Sequence, residues 1–285
     1  MPCSRRVLIN SSHFPCSDIG RSSAGSARLI IDKEVANDSF HAREIDLWKV
    51  VPLLANVIIY AFGLGRENAL CHSLKRFQLG ATLALPATIL TGLEAQCLAC
   101  VRGGRVLFRD LSFRVEAKQA LCIEGANGVG KTSLLRLIAG FLAPASGAIR
   151  IGDVEDADER GKFVGWLGHH DGVKPQMTVR ETLAFFAHLY RSESKIEEAM
   201  EAVGLARLAD LPGQYLSAGQ KKRVALARLK LSERPLWLMD EPLASLDVAG
   251  KTIAADLIAA HCAGGGIAIV ATHEPLGIAC ERLVL

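Results

Sequence analysis

The sequence predicts an α/β fold for residues 93–285, and three observations predict it. QALCIEG, Gln119 to Gly125, is a short apolar run that leads into a glycine loop and then into the helical pattern TSLLRLIAGFL. Two further apolar runs, Leu236 to Met239 and Ile267 to Ala271, have the length and composition of buried strands. Each run delivers polar residues just past its C-terminal end, Asp240 and Glu241 after the first and His273 after the second. That is the end at which open α/β sheets bind ligands.

The chain has 285 residues, half of them hydrophobic, which suggests one large domain or one domain plus an appendage, with ample material for a core. A formal net charge of +3 gives no electrostatic case for a nucleic-acid partner. The 8 cysteines are scattered rather than set in the framework of a small secreted domain, which favours a reducing compartment. Cys97 and Cys100 form a lone C-x-x-C with no second pair for a metal. In a strand these two thiols face opposite sides, so they read as small apolar residues.

Residues 1–92 read as a separate extension. Residues 1–31 are rich in Ser and Arg, with Asp18 as the one acid and no clear period. A transit peptide, a disordered tail and an upstream extension absent from the mature protein are all open. LWKVVPLLANVIIYAFGLG, Leu47 to Gly65, is apolar enough to suggest a membrane segment, but Lys49, Pro52 and Asn56 interrupt it. A second apolar stretch, Leu79 to Leu93, carries Pro86.

From Leu93 onward the elements follow in order. LEAQCLACV and RVLFRDLSFRV alternate as strands do, with Gly103 and Gly104 as the turn between them. The strand at Gln119 feeds the loop Gly125, Ala126, Asn127, Gly128, Val129, Gly130, Lys131, Thr132, Ser133. This fills the pattern G-x-x-x-x-G-K-[ST] between a strand and a helix. Glycine lets backbone N–H groups approach phosphate oxygens, and the helix start adds unpaired N–H groups and a positive dipole end. Lys131 reaches the outer phosphates, and the Thr132 hydroxyl is a ligand for Mg²⁺. A plain glycine turn with an exposed lysine is the alternative, and the strand–loop–helix setting argues against it.

Past the strand at Leu236, Asp240 is placed to hold Mg²⁺ through water and Glu241 to polarise the attacking water. His273 follows the next strand and reads as a γ-phosphate sensor. YLSAGQKKRVALARLKL puts Ser217 as an N-cap before a helical run, with Gly219 and Gln220 in its first turn. This is either an ordinary helix start or a second phosphate-binding terminus.

Together these motifs resemble the ATP-binding-cassette ATPases, over Leu93 to Leu285. GANGVGKT is similar to the Walker A loop, WLMDEP to Walker B with its catalytic glutamate, and LSAGQ to the signature motif, with Ala218 where Gly is commoner. ASLD, ending at Asp247, resembles the D-loop, and His273 the switch histidine. The resemblance implies a P-loop NTPase with a mixed sheet core, an antiparallel β-subdomain and a helical subdomain at about 170–225. It implies ATP and Mg²⁺, a second copy of the chain stacked head to tail, and a separate transmembrane permease subunit. His170 stands where the family usually has Gln, and Val101 and Arg102 stand where it favours an aromatic against adenine. LSAGQKKRVALARL, WLGHHDGVKP and IVATHEPL are similar to the ATP-binding subunits of cytochrome c biogenesis haem exporters. That likeness implies a peripheral protein on the cytoplasmic face of a bacterial inner membrane, or the matrix face of a mitochondrial one. A cassette serving another small substrate and a non-transport cassette remain as alternatives.

Overall fold

In the computed structural model, residues 90–285 are described, together with the short antiparallel pair β1 (Arg28–Leu29) and β2 (Ile45–Asp46). The Ser/Arg-rich start and the apolar stretches at Leu47–Gly65 and 79–89 lie outside the described residues. The chain divides into two compact units, Met1–Leu83 and Ala84–Leu285. No helix among the described residues is long and apolar enough to cross a membrane.

The second unit is built on two sheets. Strands β3 (Gly92–Arg102), β4 (Arg105–Glu116) and β6 (Ser146–Ile151) form an antiparallel sheet in the order β4-β3-β6. Gly103 and Gly104 make the β3–β4 turn with φ of 55° and 74°, a region glycine enters without a Cβ penalty. β3 is bulged at Cys97, whose φ is 47°, and there Cys97 is exposed while Cys100 is buried. The two thiols therefore do face opposite sides.

The other sheet is parallel at every described pairing: β5 (Ala120–Glu124), β7 (Val164–Leu167), β8 (Leu236–Asp240), β9 (Ile267–Ala271) and β10 (Glu281–Val284), in the order β10-β5-β9-β8-β7. The mixed character expected from the sequence is thus divided between two sheets. Every residue of β8 and β9 is buried, because both faces of this sheet are covered. The strand period of 2 sorts its side chains between two cores. Cys122, Trp237, Met239 and Val270 pack into one cluster, together with the helical residues Leu183, Met200, Leu226 and Ile258. Leu121, Ile123, Leu238 and Ile269 pack into the other, with Leu134, Leu137 and the antiparallel-sheet residues Leu93 and Val115. Leu90, 5% exposed, joins this second core just upstream of β3.

Six α-helices are described: α1 (Lys131–Ile138), α2 (Ala157–Gly161), α3 (Val179–Tyr190), α4 (Ile196–Ala202), α5 (Ala218–Leu231) and α6 (Val248–Ala263). α3 and α5 each open on a capping box, Thr178 with Glu181 and Ser217 with Gln220. α6 is capped by Asp247, whose Oδ1 accepts from Gly250 N at 2.8 Å. α1 differs from these. Its N-cap is Gly130, with no side-chain cap and no acid in the first turn, so its leading N–H groups are left for another acceptor.

Candidate functional site

Three neighbouring strands end together. Register pairs β5 Ile123 with β9 Ala271, and Ala271 with β8 Asp240. Past those ends, Glu241 N donates to Ala271 O at 2.9 Å and Thr272 N donates to Ile123 O at 3.3 Å. The glycine loop, the acidic pair and the His273 loop are therefore tied at one edge of the parallel sheet, although 148 positions separate Gly125 from His273 in the sequence.

Gly125, Gly128 and Gly130 all have positive φ, at 146°, 81° and 123°. A Cβ on Gly125 would stand 2.9 Å from Leu285 O, and one on Gly130 would stand 3.2 Å from Leu107 Cβ and the Phe108 ring. These two glycines are needed for close packing as well as for their backbone conformation. Gly128 meets nothing within 4 Å and faces open space. Lys131 folds back over the loop: its Nζ donates to Gly125 O at 2.7 Å and to Ala126 O at 3.2 Å, and the residue is 8% exposed. A buried ammonium held only by neutral carbonyls has unused attraction for an anion. With the uncapped start of α1, the loop fits a phosphate group.

Thr132 and Asp240, expected as metal ligands, meet directly: Thr132 Oγ1 donates to Asp240 Oδ2 at 2.8 Å. A hydroxyl and a carboxylate are the hard oxygen donors that suit Mg²⁺. Glu241 adopts φ of 50°, a strained conformation for a residue with a Cβ, and turns its carboxylate to His273. Glu241 Oε1 lies 3.0 Å from His273 Nε2. Burial pushes the Glu241 carboxyl above the usual range and nearby Asp240 adds to the shift, while His273 and Lys131 pull the other way. A partly desolvated carboxylate of raised basicity, oriented by a histidine, can accept a proton from water.

The remaining sequence-predicted residues lie elsewhere. Among the described residues, no hydrogen bond or ion pair links Ser217, Gly219, Gln220, Asp247 or His170 to the loop 125–133, Asp240 or Glu241. Ser217 and Gln220 instead bond each other: Ser217 N donates to Gln220 Oε1 at 2.8 Å, and Gln220 N to Ser217 Oγ at 3.2 Å. Gly219 does allow a close approach, but to this chain's own backbone: a Cβ there would stand 2.7 Å from Ser245 O. His170 is exposed, with its ring edge-to-face on His169 at 5.6 Å between centroids. Its neighbour Asp171 pairs with the buried Lys222 of α5 at 2.8 Å. Val101 and Arg102 are exposed at the β3–β4 turn.

Sequence reasoning missed one part of the site. Lys251 of α6 forms an ion pair with Glu274, and Glu274 N donates to Thr272 Oγ1 at 3.0 Å. The His273 loop is thereby braced to the helix that follows the D-loop-like segment. The T-x-E pattern at Thr272 was a legible turn signal, but the lysine 23 positions away was not.

The ABC transporter family model matches residues 108–244. The cytochrome c biogenesis ATP-binding export protein CcmA of Rhodopseudomonas palustris (strain BisB5) is 48% identical over 192 residues, covering 67% of this chain and 96% of the relative. The protein of the same name from Nitrobacter winogradskyi is 46% identical over the same shares, and one from Rhizobium etli is 44% identical, covering 65% of this chain and 90% of its own length. An ABC transporter ATP-binding protein of Pyrococcus furiosus superposes with a TM-score of 0.62 at 25% identity, over 68% of this chain and 97% of that one. With a strand-fed phosphate loop, an acidic pair and a histidine meeting at one sheet edge, and relatives matched over nearly their whole length, the chain belongs to the ABC transporter ATP-binding proteins, in the family of the cytochrome c biogenesis ATP-binding export proteins.

Proposed function

We propose that this chain is the ATP-hydrolysing subunit of an exporter for c-type cytochrome biogenesis, working as a pair of copies on a separate membrane permease. Its hydrolysis energises haem export or release of the haem-loaded chaperone. The observation that carries the ATPase reading is the Glu241–His273 contact beside the Lys131 loop. The export role rests on relatives 44–48% identical that bear that name. The same relatives, named as export proteins, support a permease partner and a peripheral place on the inner face of the membrane.

In this reading Gly125 to Ser133 wrap the ATP phosphates with backbone N–H groups, and Lys131 exchanges its loop carbonyls for phosphate oxygens. Thr132 and Asp240 hold Mg²⁺, which when bound draws charge from the phosphates. Glu241 takes a proton from the attacking water while His273 keeps its carboxylate in place. Ser217, Gly219 and Gln220, at the start of α5, serve the nucleotide of the second copy, which accounts for their lack of contact with their own loop. Asp247 holds the segment that Gly219 rests on, and His170 answers to the permease. The ATPase cassette starts upstream of the boundary at 93 read from the sequence, since Leu90 packs in its second core and its first strand opens at Gly92. Residues 1–83 are an extension outside it, and its helical subdomain spans about 170–225.

Deleting the protein tests this. The expected outcome is loss of covalent haem attachment to c-type cytochromes with b-type cytochromes intact, restored by the wild-type chain and not by Lys131→Ala. Normal haem attachment in the deletion strain would overturn the export role and turn attention to another small substrate.

A further inference from the structure

Two cysteines outside the ATPase machinery lie against each other. Cys122 is in the middle of β5 and is 3% exposed. Cys280 is half-buried, immediately before β10. Their sulfurs are 2.7 Å apart although 158 positions separate them in the sequence. Both are free thiols, and no other described pair of cysteines has its sulfurs in contact. Cys97 and Cys100 lie on opposite sides of β3, and Cys262 Sγ is 3.5 Å from Gln119 O.

The surroundings set the two thiols apart. Burial, the neighbouring Cys280 and the nearby Glu124 all push the Cys122 thiol up, so it stays protonated and unreactive towards solutes. Cys280 is the less buried of the two. A partly exposed thiol with a second thiol in contact behind it is the arrangement that a reversible disulfide requires.

We propose that Cys122 and Cys280 are a redox modification site, closing to an intramolecular disulfide when the protein meets a peroxide. In the first step the Cys280 thiolate attacks one peroxide oxygen. The O–O bond breaks, Cys280 becomes a sulfenic acid and the other oxygen leaves as water after taking a proton. In the second step the Cys122 sulfur attacks the sulfenyl sulfur. The S–S bond forms, the S–O bond breaks and the hydroxyl leaves with the Cys122 proton as a second water. Two thiols are oxidised by two electrons, and one hydrogen peroxide is reduced to two waters. A dithiol reductant reverses it.

The bond would fasten β10 to the strand that carries the phosphate loop. β10 already pairs with that strand, Glu281 with Leu121 through Val284 with Glu124, and next to this pairing Leu285 N donates to Glu124 O at 3.0 Å and Arg282 lies 3.5 Å from Glu124. The closed form therefore holds an otherwise exposed edge strand against the base of the nucleotide site.

The test treats the purified full chain with hydrogen peroxide, quenches free thiols with an alkylating agent and digests without reductant. The expected result is one cross-linked peptide joining Cys122 and Cys280, with two thiols fewer per chain, reversed by dithiothreitol. Cys280→Ser and Cys122→Ala should each abolish it, and a raised melting temperature of the oxidised wild type should be absent from both. Cys280→Ser, at a half-buried site, guards against misfolding of the core variant, and circular dichroism checks both. Oxidation of Cys280 to the sulfinic acid without a cross-link would overturn the proposal, as would a disulfide that pairs other cysteines.

Discussion

At the scale of single residues, Glu241 and His261 carry opposite lessons about burial. Burial raises the Glu241 carboxyl, and His273 and Lys131 keep it in use. Glu241→Gln preserves the shape and removes the base. It should bind ATP while turnover falls by roughly 10²–10⁴-fold, the usual worth of general-base catalysis. Equal steady-state hydrolysis by the variant and the wild type would refute the assignment. His261 has no catalytic neighbour. Its ring stacks on Trp237 with centroids 3.8 Å apart, its Nε2 donates to Ile267 O at 3.2 Å, and burial lowers it from 6.5 to about 4. A depressed folded-state value means that stability is full above the unfolded value and is lost as pH falls from about 6.5 through about 4. The loss should approach 3 kcal/mol, by linkage over that interval. His261→Phe keeps a ring on Trp237 and removes the titration, so urea denaturation between pH 7 and pH 4 should show a flatter slope than wild type. The Glu241–His273 contact was not legible in the sequence, because the 31 positions between them are closed only by the register of β8 on β9.

At the scale of elements, two kinds of strand read clearly from the sequence: β3 and β4 by alternation, and β5, β8 and β9 as apolar runs. The apolar runs arise because the side chains before the terminal acids Glu124 and Asp240, and all of β9, meet a core on one face or the other. β10, ERLV, left no such trace, since it is an edge strand with most of its residues exposed. The start of α5 was legible as a cap, but the reason for its glycine was not. Gly219 lies against Ser245 O, in the loop that begins at the strained Glu241 and ends at the Asp247 cap, so the signature-like helix and the acidic segment share one contact. Gly219→Ala forces a methyl to 2.7 Å from that carbonyl, and the carbonyl is backbone that must shift. Overpacking of this kind costs about 1–3 kcal/mol. ATPase assays with the variant should show turnover reduced more than nucleotide affinity. A Gly219→Ala protein with wild-type turnover would show the contact to be incidental.

At the scale of the whole molecule, the two described cores and every described site residue lie in the second unit. A chain beginning at Ala84 should fold cooperatively and bind ATP with the affinity of the full chain, as checked by calorimetry. The choice of Ala84 over Leu93 follows from Leu90, which is buried in the second core, and from Thr91, whose carbonyl accepts from Ala117 N at 3.3 Å. Aggregation of the Ala84 chain, with the full chain well behaved, would make residues 1–83 part of the fold.

The seat of β5 between β9 and β10 has a consequence in time. β5 ends at Glu124, and its neighbours are Ile267–Ala271 on one side and Glu281–Val284 on the other. A ribosome working at roughly 5–20 residues/s needs about 7–30 s to cover the roughly 140 residues between them. Throughout that interval the strand that feeds the phosphate loop has two bare edges, and no nucleotide can hold it in place. Helices α3, α4 and α5 are all made in the same window, and they pack mainly on one another and on one face of the unfinished sheet. A nascent chain halted before Ile267 should therefore gain no protection from protease when ATP is added, whereas one released after β10 should.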